Sequence, residues 1–251
     1  MILEEPRLAA PLTDDKIWEA DGIPVLCTHT LLPQLEGQRA GAQRFNRCAA
    51  QLGQAFYAYC RQVLLPEAAA SCRAAMETSA PWSAARAELS FRVSLLSGFL
   101  LSIVYDERET VHGRAGFQMR SGEVWDLSAG LPVPLSECFP PCAPCRSILL
   151  RFAREEILRR PEYNAAARDN WRFRLRRTLC THKYYLSSEG LCFFCPPGSV
   201  AAREAGFLTF TMPYDAEKGP FLPAWSERKE AVATPLAQLR RALSEAGAQL
   251  D

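Results

Sequence analysis

Three cysteines in one short stretch have the spacing best suited to chemistry. Cys138-x3-Cys142-x2-Cys145 lies among prolines, whose turns can converge thiolates on the ~2.3 Å bonds of a tetrahedral zinc ion. A fourth ligand would have to come from Cys180, His182 or elsewhere. Without a second cysteine pair, free thiols are the ordinary state of the same residues. Cys192-Phe-Phe-Cys195 has the count of a redox pair but sits in an apolar run. On a strand its sulfurs face opposite ways, and a thioredoxin-like site needs the motif at a helix N-terminus, where the thiol pKa falls. These two thiols therefore read as core packing.

His29, His112 and His182 are the only imidazoles, and none adjoins a nucleophile motif such as G-x-S-x-G. A P-loop and a dinucleotide fingerprint are also absent, so the residues point to a non-catalytic protein. His112-Gly113 reads as a loop whose imidazole either bonds the loop backbone or meets a ligand. The run from Arg168 to Arg177, RDNWRFRLRR, mixes Trp171 and Phe173 with five arginines. Such mixtures can bind phosphate backbones or stack bases. The alternation W-R-F-R-L equally describes a strand with one face on the core and one in solvent, and no nucleic-acid partner is expected.

The balance of 29 basic and 28 acidic residues gives a net charge of +1, so no global field draws the chain to nucleic acid or anionic lipid. Its start, MILEEPRLAAPLTDDKIWEADG, lacks the basic, apolar and small-residue sections of a secretory signal. The ten cysteines are accordingly expected to be reduced in a cytoplasmic protein. The most apolar window, Leu95 to Tyr105, falls short of the ~20 residues a membrane span needs, and none is expected.

The elements that must position these residues follow from periodicity. Phe45, Leu52, Phe56, Tyr59 and Val63 recur at helical spacing, and Pro66 is expected to end that helix. An Ala-rich second helix should cover Glu67 to Thr78. From Glu88 the period becomes two, which predicts a hairpin turning at Ser97-Gly98 and a second one turning at Ser121-Gly122. LPVPLSECFPPCAPC, with five prolines, must be a loop, and RSILLRFAREEILRR a helix with Ile148, Leu149, Phe152 and Ile157 inward. Strands should follow at Lys183 to Leu186, Leu191 to Phe194 and Phe207 to Met212. Thr234-Pro235 should start a tail helix carrying Leu236, Leu239 and Leu243, after a GPFLPAW linker.

The expected fold is therefore α+β, an antiparallel meandering sheet packed against N-terminal and central helices. One domain would span residues 1–222, helical over 30–88 and sheet-rich over 89–214, with linker and tail helix over 223–251.

The run YYLSSEGLCFFCPPGSVAAREAGFLTFTMPY resembles the closing segment of the RsiV-type module. Its elements here are Tyr184 to Leu186, Gly190-Leu191, Phe193-Phe194, Gly206 and Pro213-Tyr214. His112-Gly113, Gly122 and Asp126-Leu127 resemble the family's Ala-His-Gly loop, strand pair and acidic turn, and Phe45-Asn46 its first helix. Where the family has glycines before that loop, this chain has Glu109-Thr110-Val111. The module is the extracytoplasmic domain of the lysozyme-sensing anti-sigma-V factor and also accompanies a peptidoglycan deacetylase. The resemblance implies a sensor-like, protein-binding domain without a cofactor, whose partner would be a lysozyme-like protein or a cell-wall fragment, whereas the expected cytoplasmic location makes an intracellular protein an equal expectation. The resemblance places the binding residues at His112, Gly113, Pro213 and Tyr214, on one exposed patch. The other class of function would be a zinc- or thiol-dependent protein built on Cys138, Cys142 and Cys145.

Overall fold

The structure, a computed structural model, describes residues 6–37, 39–111, 113–215 and 217–221. It opens with a hairpin absent from the elements expected above, β1 (Leu12–Ala20) and β2 (Ile23–Leu32). Asp14, Asp15, Lys16 and Glu19 break up the apolar alternation of β1, as charges on exposed edge strands do. The turn itself carries a signal: Asp21 and Gly22 both have positive φ, +54° and +75°, and Asp-Gly is a favoured pair for this two-residue reversal.

A long helix follows in three pieces. It comprises α1 (Ala40–Tyr59), a π-turn (Cys60–Leu64) and α2 (Leu65–Glu77). Pro66 does not end it, contrary to expectation. The π-turn widens the coil around the carbonyls a proline ring would strike, and Pro66 then opens α2, where its missing N–H is tolerated.

The helix returns the chain to β3 (Ala85–Ser97), which runs parallel to β2. β4 (Leu100–Val111), β5 (Arg114–Asp126) and the two-residue β6 (Leu131–Pro132) then complete a six-stranded sheet in chain order. The sheet is thus mixed rather than wholly antiparallel, because a helical crossover joins β2 to β3. The hairpin turn at Gly98 falls as expected, but no turn occurs at Ser121-Gly122. β5 runs straight through, with Gly122 opposite Val104, and the reversal lies between Val111 and Arg114. Gly122 instead lets another strand cross β5 closely, since a Cβ there would stand 2.5 Å from the Tyr184 carbonyl oxygen.

After the proline-rich loop come α3 (Cys145–Arg159), α4 (Pro161–Ala166) and α5 (Trp171–Thr178). The segment W-R-F-R-L is helical, not a strand. Arginine and leucine are good helix formers, and only Leu175 of α5 is buried, while Phe173 is 61% exposed. β7 (Tyr184–Leu186), β8 (Gly190–Cys195) and β9 (Leu208–Pro213) lie close to where the sequence places them, but they form a second, three-stranded sheet. The tail helix expected from Thr234 lies outside the described residues.

Alternation along β4 organises the core. Leu101, Ile103 and Tyr105 face the long helix, meeting Phe45, Phe56 and Cys60. Leu100 and Val104 face the second sheet. β8, GLCFFC, is buried along its whole length: Cys192 and Phe194 turn towards Val104, while Leu191, Phe193 and Cys195 turn towards α3. Phe193 stacks on Phe210 at 5.1 Å and lies 6.3 Å from Phe152 of α3. The buried Ser102 hydroxyl ties the sheets together by accepting the Leu186 N–H at 2.7 Å. Among the described residues no helix is long and apolar enough to cross a membrane.

Candidate binding site

Of the residues expected to bind, Gly113 and the Pro213-Tyr214 pair lie at different ends of the sheets. His112 lies outside the described residues. Gly113, at φ +71°, belongs to the two-residue connection between β4 and β5. Pro213 closes β9 opposite Gly190, and the Tyr214 hydroxyl donates to the Ser187 carbonyl at 2.8 Å. That end of the small sheet lies beside Ser102, through Leu186. From Ser102 to Val111, β4 covers roughly 30 Å at ~3.3 Å per residue. The opposite end of β9 is the one near the hairpin tip, where Arg203 donates to the Gly116 carbonyl. Gly113 and Pro213-Tyr214 are therefore far apart.

The cysteine trio is likewise dispersed in environment. Cys138 is fully buried, with its thiol 4.0 Å from the Tyr184 hydroxyl, and burial pushes its pKa up to about 12. Cys142 is exposed in the left-handed region, φ +63°. Cys145 opens α3 and turns its thiol to the Ala143 carbonyl at 3.3 Å. Among the described residues no group of three or more cysteine, histidine or acidic side chains is placed to hold a metal ion. Cys192 and Cys195 occupy opposite sides of β8, as its alternation requires, and burial raises the Cys195 thiol to about 12. A thiol reagent added to the folded, reduced protein should modify Cys142 in a fast phase that Cys142→Ser removes, and reach Cys60, Cys138 and Cys195 only after unfolding. The half-buried Cys27, Cys48, Cys145 and Cys180 should react more slowly, so a fastest phase of undiminished amplitude in Cys142→Ser would contradict these exposures.

A groove of about 320 Å³ lies between the β1–β2 hairpin and α1. No local pattern in the sequence signals it, because its walls come from segments far apart along the chain. Leu12 and Leu32 are register partners on the hairpin, and Phe56 and Tyr57 come from the helix. The approach of helix to hairpin depends on Gly53, where a Cβ would lie 2.5 Å from the Leu32 side chain. Two of the lining residues are held by Trp18: its ring centre lies 5.1 Å from that of Tyr57, and its indole donates to the Thr28 hydroxyl at 3.2 Å. Lys16 lies over the Tyr57 ring at 4.0 Å and pairs with Asp14 at 2.9 Å. The hydrogen bond from Lys16 to Asp14 holds the lysine pKa above its ordinary value.

Electrically the groove is close to neutral, with an apolar floor and an ion pair at its rim. β1 is an edge of the six-stranded sheet, so it presents backbone N–H and C=O groups along its outer side. Leu12 is 51% exposed and Ile17 69% exposed on this strand. The arrangement can add one extended strand and accept its apolar side chains.

No protein-family model matches the sequence, and no curated protein matches it. Solved structures do. A crystal structure of a DUF3298 family member from Bacteroides fragilis superposes with a TM-score of 0.62 at 11% identity, covering 83% of this chain and 90% of the other. A DUF3298 family protein from Pseudomonas aeruginosa superposes with a TM-score of 0.52 at 12% identity, covering 84% and 91%. The fold is shared with these DUF3298 proteins. At these identities the likeness concerns the path of the chain, and the side chains of the groove are this protein's own.

Proposed function

We propose that the chain is a non-catalytic, sensor-like binding module of the RsiV type, which recognises an extended segment of a partner protein along β1. The observation that carries this reading is the apolar groove beside an edge strand of the six-stranded sheet. Strand addition draws its affinity from main-chain hydrogen bonds and its selectivity from pockets for alternate side chains, and β1 with the groove offers both. The fold shared with the DUF3298 structures and the sequence resemblance agree with a module of this kind. By that resemblance, a lysozyme is the first protein to try.

Extended peptides selected from a displayed random library, and a lysozyme, serve as probes. A bound probe should slow amide hydrogen exchange across Leu12–Ala20, and Tyr57→Ala should weaken it at least tenfold, because Tyr57 anchors both Trp18 and Lys16. Protection confined to other surfaces, with β1 unchanged, would refute the assignment.

A further inference from the structure

Between Cys145 and Lys183 the chain carries eleven basic and four acidic residues, although its net charge is only +1. Glu156 is occupied by Arg159 and Arg160, each at 2.7 Å. The five arginines from Arg168 to Arg177 have no carboxylate at ion-pairing distance among the described residues. As a strand, this run would sink its aromatic residues into the core. As a helix it exposes Phe173 instead.

Two of these arginines, Arg174 and Arg177, line a cleft of about 440 Å³ between α5 and the turn before Val200, together with Asn170, Phe173, Thr178 and Ser199. The cleft is held in shape by backbone ties: Arg168 donates its side chain to the Gly198 carbonyl at 2.8 Å and its N–H to the Val200 carbonyl at 3.1 Å. Arg174 uses only its Nε, on the Asp169 carbonyl at 3.3 Å. The Arg177 guanidinium lies 5.7 Å from the Phe173 ring centre, and among the described residues no hydrogen bond occupies it. Both hydroxyls already spend their protons, Thr178 on the Arg174 carbonyl and Ser199 on the Pro196 carbonyl. Their oxygens can therefore only accept.

The geometry points to a binding site for a phosphorylated sugar. Two guanidiniums with free forked donors take the phosphate oxygens. The two hydroxyl oxygens accept from sugar hydroxyls, and the face of Phe173 covers the ring's apolar side. This site is separate in chemistry and place from the β1 groove. The same phosphomonoester chemistry comes from a free hexose phosphate or from a mononucleotide.

Calorimetric titration with inorganic phosphate, glucose 6-phosphate and uridine monophosphate, at 150 mM salt, tests the site and separates the two sources. At least one organic phosphate should bind tenfold or more tighter than inorganic phosphate. Arg177→Ala and Arg174→Ala should each cost at least tenfold, and Arg177→Lys should not restore the loss, because lysine lacks the fork. Phe173→Ala should weaken the organic ligand severalfold without changing the affinity for inorganic phosphate, leaving the part of the difference that Thr178 and Ser199 supply. These side chains lie at the surface, and unchanged melting temperatures will show that the variants fold. The proposal is overturned if neither organic phosphate binds below 10 mM, if both bind no better than inorganic phosphate, or if the arginine variants bind as well as the parent.

Discussion

Phe193→Ala is expected to lower the unfolding free energy by about 3–5 kcal/mol. The side chain is fully buried, stacked on Phe210 and packed against Phe152, so it joins β8, β9 and α3 at one point. Nothing polar lies there to be rescued, and the cavity left by alanine can close only if the helix moves against the sheet. Denaturant unfolding measures the loss as a lower midpoint with an unchanged slope. Phe173→Ala supplies the control, since that ring is 61% exposed and its removal should change stability by no more than about 0.5 kcal/mol. If Phe193→Ala instead split the transition into two, the small sheet would be melting apart from the large one, contrary to the shared cluster that includes Leu100 and Val124 of the large sheet.

Gly122→Ala is expected to cost about 3 kcal/mol, at the upper end for overpacking. The added methyl would meet the Tyr184 carbonyl, its oxygen at 2.5 Å and its carbon at 2.8 Å. Those are backbone atoms of β7, which can yield only by lifting off β5. Leu186 lies two residues further along β7 and gives its N–H to Ser102, so the same displacement strains the bond between the sheets. Hydrogen exchange at the Leu186 amide should accelerate with the drop in stability. A variant as stable as the parent, with that amide still protected, would show that the strands do not cross as closely as described. Gly116→Ala should be milder, because its nearest contact, the Glu109 carbonyl oxygen, stands at 3.1 Å.

Gly122 also shows how far local sequence can be read. A glycine beside a serine in a period-two stretch reads as a turn, and nothing local distinguishes a reversal from a place where another strand must pass. The elements that were legible owe this to strong periodicity over enough residues: α1 through Phe45 and Phe56, α3 through Leu149 and Ile157, and β3 and β4 through their alternation. β8 was legible as a short apolar run next to a glycine turn. β1 was hidden by the charges that keep an edge strand soluble, and Asp21-Gly22 was its one clear mark. W-R-F-R-L satisfies two periods at once, and only the surrounding fold decides between them. The β1 groove could not be read at all, since Leu12, Leu32 and Tyr57 meet only after the long helix has folded back across the hairpin. The arginines of α5 were visible in the sequence, but their lack of carboxylate partners among the described residues is a fact of three-dimensional placement.

The double-sided burial of β8 bears on how the protein must be handled. GLCFFC has no charge and no proline, and its apolar and aromatic residues favour extended structure, so once released from the core it is a segment that pairs with copies of itself. Two thiols travel with it, and air oxidation would lock such chance pairings in place. Recovery after denaturation therefore becomes a race between intramolecular closure and clumping, won at low protein concentration with reductant present and lost in concentrated, aerated solution.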